Sequence, residues 1–164
     1  MKFLLPIAIF SLLFSLSALA DPEAGPLQVQ TPDGWSEKYP SDDGAKVYTL
    51  TKTEGGNSLL IFSRWTAPGT RTEIPSFLGS MARKFAAMAK DNPKIKLVSD
   101  SYTKGDFIGD PFSGKFVLFT MDRGLVQAFF MFNDGDEIWS GQYSGTADGW
   151  SQAVDILKVI KKNG

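Results

Sequence analysis

Apolar and polar positions follow three patterns along this chain, and each predicts a different kind of element. Residues 45–52 and 58–65 alternate or cluster β-rich side chains, as in Val47-Tyr48-Thr49-Leu50 and Leu59-Leu60-Ile61-Phe62. Glu54-Gly55-Gly56-Asn57 lies between them, so the pair reads as a β-hairpin. A different period follows: Ile74, Phe77, Leu78, Met81, Phe85 and Met88 fall at steps of three and four, which puts them on one face of an amphipathic helix. Thr72 is the expected cap, Pro75 suits the first turn, and Asp91-Asn92-Pro93 stops the helix. The third pattern is the run of consecutive large apolar residues in 112–121 and 124–133, with Phe116-Val117-Leu118-Phe119 in one and Phe129-Phe130-Met131-Phe132 in the other. A strand apolar on both sides needs cover on both sides.

Shorter signals complete the layout. Residues 27–30 form a strand ended by the turn Thr31-Pro32-Asp33-Gly34, and Trp35 covers an edge of the core. Residues 95–102 return to strand character, and residues 104–111 make a loop holding Asp106 and Asp110. Met121-Asp122-Arg123-Gly124 and Asn133-Asp134-Gly135-Asp136 are tight reversals, the second leading into a strand over 137–144. Residues 147–162 are a second helix with Trp150, Val154, Leu157 and Ile160 on one face; Lys158, Lys161 and Lys162 lie where its dipole favours cations, and Thr146 or Asp148 caps it. Strands grouped in this way, without alternating βαβ units, predict an α+β fold: a mainly antiparallel sheet of about six or seven strands, with helices packed on both faces.

The first twenty residues belong to none of these elements. Lys2 supplies a positive start, residues 3–17 are apolar but interrupted by Pro6, and Ala18-Leu19-Ala20 offers the small residues of a cleavage site. Residues 1–20 therefore read as a signal peptide and residues 21–164 as one domain, periplasmic or secreted after cleavage, without stable membrane insertion. The chain has no cysteine, so neither a disulfide nor lipid attachment at the cleavage site is chemically available. A net charge of −1 gives no field towards nucleic acid.

Histidine is also absent, and its absence removes Ser-His and Cys-His activation and the ordinary zinc sites. The remaining chemistry-bearing strings are weak. Ser101-Tyr102-Thr103-Lys104 matches S-x-x-K, but at a strand end Ser101 and Lys104 face opposite ways. Gly141-Gln142-Tyr143-Ser144-Gly145 misplaces the serine of a nucleophile elbow. Asp106 and Asp110 could form an acid pair, although loop aspartates are usually turn formers. No catalytic residue and no cofactor are assigned. Two binding readings remain: Asp134, Asp136 and Glu137 around Gly135 as ligands for a hard cation, against a solvated hairpin turn, and Arg64, Trp65 and Arg71 as a partner-binding patch, because Trp and Arg are enriched at hot spots.

Trp35 in an early turn, the Val47-Tyr48-Thr49-Leu50 and Leu59-Leu60-Ile61-Phe62 strands, the mid-chain helix, and Gln142-Tyr143-Ser144 running into a helix with Trp150 and Ile156-Leu157-Lys158-Val159-Ile160 together resemble the PsbP-like superfamily. The resemblance implies its fold and a binding or accessory role without a shared catalytic centre. The expected function is an exported non-enzymatic domain acting through protein contacts, in the manner of an inhibitor or immunity protein, with another exported or envelope protein as partner. The alternative is a small-ligand or metal-binding domain, or an atypical hydrolase using Asp, Lys or Ser without histidine.

Overall fold

The computed structural model describes residues 27–41, 44–55, 57–66 and 71–163; the expected signal peptide lies outside them. In chain order the elements are β1 (Leu27–Gln28), β2 (Trp35–Lys38), β3 (Tyr48–Lys52), β4 (Ser58–Arg64), α1 (Ile74–Asp91), β5 (Thr103–Ile108), β6 (Ser113–Thr120), β7 (Leu125–Asn133), β8 (Ile138–Thr146), α2 (Ala147–Lys158) and β9 (Lys161–Lys162). Seven strands form one antiparallel sheet in the order β2-β3-β4-β8-β7-β6-β5, while β1 pairs with β9 as a separate ribbon. The fold is α+β, as expected, with a helix on each face.

The doubly apolar strands explain why two helices are needed. In β7, Val126, Ala128, Phe130 and Phe132 join the core under α2, where Trp150, Ala153, Ile156 and Leu157 pack. The alternate residues Phe129 and Met131 join a second core with Ile74, Leu78, Ala82 and Phe85 of α1. Period-two strands thus put successive side chains into different cores, and each core matches the 3.6-residue stripe of its own helix. At the β6–β7 reversal Arg123 and Gly124 both take positive φ (59° and 71°), which matches the twist of a two-residue hairpin turn.

Five expectations need correction. The first strand stops at Gln28 rather than residue 30, and Trp35, buried in the core as expected, opens a further strand opposite Lys52. Glu73, not Thr72, is the N-cap; Thr72 lies in a 3₁₀ turn (Arg71–Glu73), and Pro75 fits only the first positions of the helix, which moves the start to Ile74. Residues 95–102 make no strand and contribute one isolated bridge, Leu97 to Met121. The supposed loop around Asp106 is instead strand β5, paired with β6 through Thr103↔Leu118 to Ile108↔Ser113. Gly105 reads as a turn former, yet a Cβ there would lie 2.2 Å from Phe116 Cζ, so its bareness lets that ring lie across the strand. Finally, the second helix stops at Lys158, and Lys161–Lys162 pair with Gln28 and Leu27. Ile160 is fully buried and would suit either conformation, so the apolar stripe does not mark where the helix ends.

Two hydroxyls tie the layers together. The Tyr48 hydroxyl accepts a hydrogen bond from the Leu27 N–H and donates to the Leu27 carbonyl, which holds the β1–β9 ribbon on the core. Tyr143 reaches Ser58 Oγ at 2.8 Å and donates to the Thr146 carbonyl at 2.8 Å, and Thr146 Oγ1 caps α2 by accepting from the Gly149 N–H. Burial raises the Tyr143 hydroxyl above its ordinary value; the Ser58 and Thr146 hydrogen bonds act against it. This node joins β4, β8 and α2.

Candidate functional site

The end of β4 and the start of β8 meet at a charged corner of the sheet. Register places Arg64 opposite Trp139, one residue beyond Ile138, and the Trp65 N–H donates to the Ile138 carbonyl at 2.7 Å. The Arg64 guanidinium can therefore reach back along β8, and its Nη2 lies 3.1 Å from Glu137 Oε1. Asp134 Oδ1 accepts from the Asp136 and Glu137 N–H groups at 3.0 and 2.9 Å, an Asx turn that fixes the β7–β8 hairpin. Lys162 arrives from β9, with its Nζ 2.5 Å from Asp134 Oδ2 and 3.7 Å from Glu137 Oε2.

Two readings kept apart in the sequence are thus brought together, since Arg64 belongs to the expected partner patch and Glu137 and Asp134 to the expected cation site. The cations in contact with these two carboxylates are Lys162 and Arg64, while Asp136 is exposed at the tip. Among the described residues no three acidic, cysteine or histidine side chains are arranged to hold a metal ion. Trp65 is half-buried with its ring 5.3 Å from Phe77 of α1, and its indole N–H has no hydrogen-bond partner among the described residues. Arg71 has its backbone in the 3₁₀ turn before α1; its side chain and residues 67–70 lie outside the described residues.

Burial alone would raise the Asp134 carboxyl, but the Glu137 N–H, the Lys162 ammonium and the Asp136 N–H outweigh it and bring the pKa from 3.8 down to about 2. Lys162 is raised in turn, chiefly by its hydrogen bond to Asp134. A depressed carboxyl stabilises the fold above its unfolded pKa and loses that contribution as the pH falls through the folded one. Stability should therefore drop between about pH 4 and pH 2, and Asp134→Asn should flatten this acid limb in urea titrations repeated across that range. An unchanged slope in the variant would remove Asp134 as the cause.

The other candidate groups do not converge. Lys104 and Asp106 stand exposed on edge strand β5, where Asp106 pairs with Lys115 at 3.0 Å; Asp110 is exposed in the following loop. Ser101 precedes β5, and Gln142 and Ser144 are buried in the middle of the sheet. Two residues were missed by sequence reasoning. Lys162 carried only a helix-dipole role because β9 was read as helix. Gln152 carried none, yet its Oε1 accepts from Trp35 Nε1 at 3.0 Å and Lys52 Nζ at 2.7 Å. Gln152 lines a shallow groove of about 420 Å³ between Gln30, Thr31 and Pro32 on one side and Asp155, Ile156 and Val159 on the other. Its only sequence signal was a polar residue inside the predicted second helix, too common to single out.

No family model matches the chain, and no curated protein matches it. Among solved structures it is similar to cyanobacterial PsbP (CyanoP) from Synechocystis sp. PCC 6803, over 88% of this chain and 98% of that one, at 12% identity and a TM-score of 0.48. That protein is of the kind the sequence resembles, and no residue role passes from it to this chain. Among the described residues no helix is long and apolar enough to cross a membrane.

Proposed function

We propose that this chain is an exported, non-catalytic binding or accessory domain that acts through contact with another protein of the periplasm or cell envelope, as an inhibitor or immunity protein does. The observation that supports it is the Arg64–Glu137–Lys162–Asp134 network at the end of β4, where the next residue, Trp65, packs on Phe77 on the other face of the sheet. Side chains already held in ion pairs lose little further freedom on docking, and Arg64 and Trp65, which the strand presents on its two faces, are of the residue types that carry most binding energy. Export rests on residues 1–20, which have the three-part composition of a signal peptide.

Co-purification from periplasmic extract tests this reading. The wild-type protein should retain one defined partner, and Arg64→Ala together with Trp65→Ala should weaken that partner's retention by about thirtyfold or more, since truncations that matter cost more than about 1 kcal/mol each. A second reading, a small-ligand domain, draws on the groove beside Gln152. No retained partner, beside a clear rise in melting temperature with a small molecule that Gln152→Ala abolishes, would replace the first reading with the second.

A further inference from the structure

Strand β5 ends the seven-stranded sheet, so one of its edges has no neighbouring strand among the described residues. An unpaired edge is a template for another strand, and what decides whether it pairs is the pattern of side chains it presents. Register with β6 and the two cores fixes that pattern. Phe107 points into the core beneath α2, while Tyr102 packs into the core beneath α1, as does its ring partner Phe119 at 5.4 Å. Tyr102, Lys104, Asp106 and Ile108, two residues apart, therefore share the α1 face. Lys104 lies 5.8 Å from the Tyr102 ring centre, Asp106 is 65% exposed, and Ile108 is 81% exposed, the most exposed large apolar side chain among the described residues.

We infer that β5 pairs with β5 of a second copy of this chain, antiparallel and centred on Gly105, to make one sheet continuous across two molecules. A two-fold axis perpendicular to a sheet pairs residues only with others on the same face, so the choice of registers is small. Centring on Lys104 would set two ammonium groups opposite each other, and centring on Asp106 two carboxylates. Centring on Gly105 sets Lys104 opposite the second copy's Asp106 on both sides of the axis. The same register sets Ile108 opposite the second copy's Tyr102, which covers the exposed isoleucine with an aromatic ring. Charges on an edge usually prevent pairing. Here they are of opposite sign, two residues apart around a glycine, and they select one partner in one register.

Sedimentation of the protein purified from cells expressing the full chain, over a range of concentrations and salt, tests the inference. Wild type should show a monomer–dimer equilibrium that weakens with salt. Lys104→Asp alone and Asp106→Lys alone should each raise the dimer dissociation constant by about tenfold or more, because each places like charges opposite one another twice. Mixing these two variants should give a heterodimer, and the double exchange Lys104→Asp with Asp106→Lys should restore the homodimer. The mixing result guards against a folding defect, since a variant that pairs with its opposite is folded. A wild-type protein that stays monomeric at every concentration, or a dimer indifferent to both single exchanges, would overturn the inference.

Discussion

Phe132→Ala should come close to unfolding the protein. Phe132 is fully buried, and its ring lies within 5.4–6.4 Å of those of Phe62, Phe107, Phe112, Phe130 and Trp139. These residues come from four strands and the turn before β6, so no single element can shift to fill the void. Removing a buried phenylalanine ring costs about 3–5 kcal/mol where the site cannot collapse, against a typical total stability of about 5–15 kcal/mol. Urea denaturation followed by tryptophan fluorescence should show the midpoint falling by about a third or more at unchanged slope. A loss under about 1 kcal/mol would mean that the aromatic cluster is far more adaptable than its geometry implies.

Gly141→Ala is expected to be nearly as damaging for the opposite reason. Gly141 sits in the central strand β8, opposite Phe62 of β4 and Phe130 of β7. A Cβ there would stand 2.3 Å from the Ile61 carbonyl oxygen, 2.5 Å from Phe130 Cζ and 2.6 Å from Phe62 Cβ. The ring could turn, but the carbonyl belongs to the neighbouring strand and can yield only by opening the β4–β8 ladder. Overpacking of this kind costs about 1–3 kcal/mol or more. Chemical denaturation measures it directly, and hydrogen exchange should locate the loosened amides in β4 and β8; uniform loss of protection across the sheet would point to global destabilisation instead.

The two substitutions mark what the sequence made legible. Phe129-Phe130-Met131-Phe132 announced a strand covered on both faces, and the helical stripes of residues 74–88 and 150–157 announced what covers it. The signals that failed were those in which local chemistry and tertiary context disagree. Gly105 and Asp106 have the composition of a turn, and only the ring of Phe116 lying over Gly105 makes that segment a strand. Lys161 and Lys162 continue a helical pattern, and only the presence of Leu27–Gln28 alongside draws them into a ribbon. The site was harder still, because a charged side chain names its chemistry but not its neighbour. Arg64 and Glu137 stand far apart in sequence, and their contact follows from the β4–β8 register, which no local pattern specifies.

Partner binding at this end of β4 is decided by what touches it in the cell. Replacing Trp65 with a photoreactive phenylalanine analogue and irradiating living cells reads this directly, with Ser36 on the exposed strand β2 as the control position. One discrete cross-linked protein is expected at position 65 and none at position 36. No adduct at 65, or the same adduct from both positions, would contradict partner binding there.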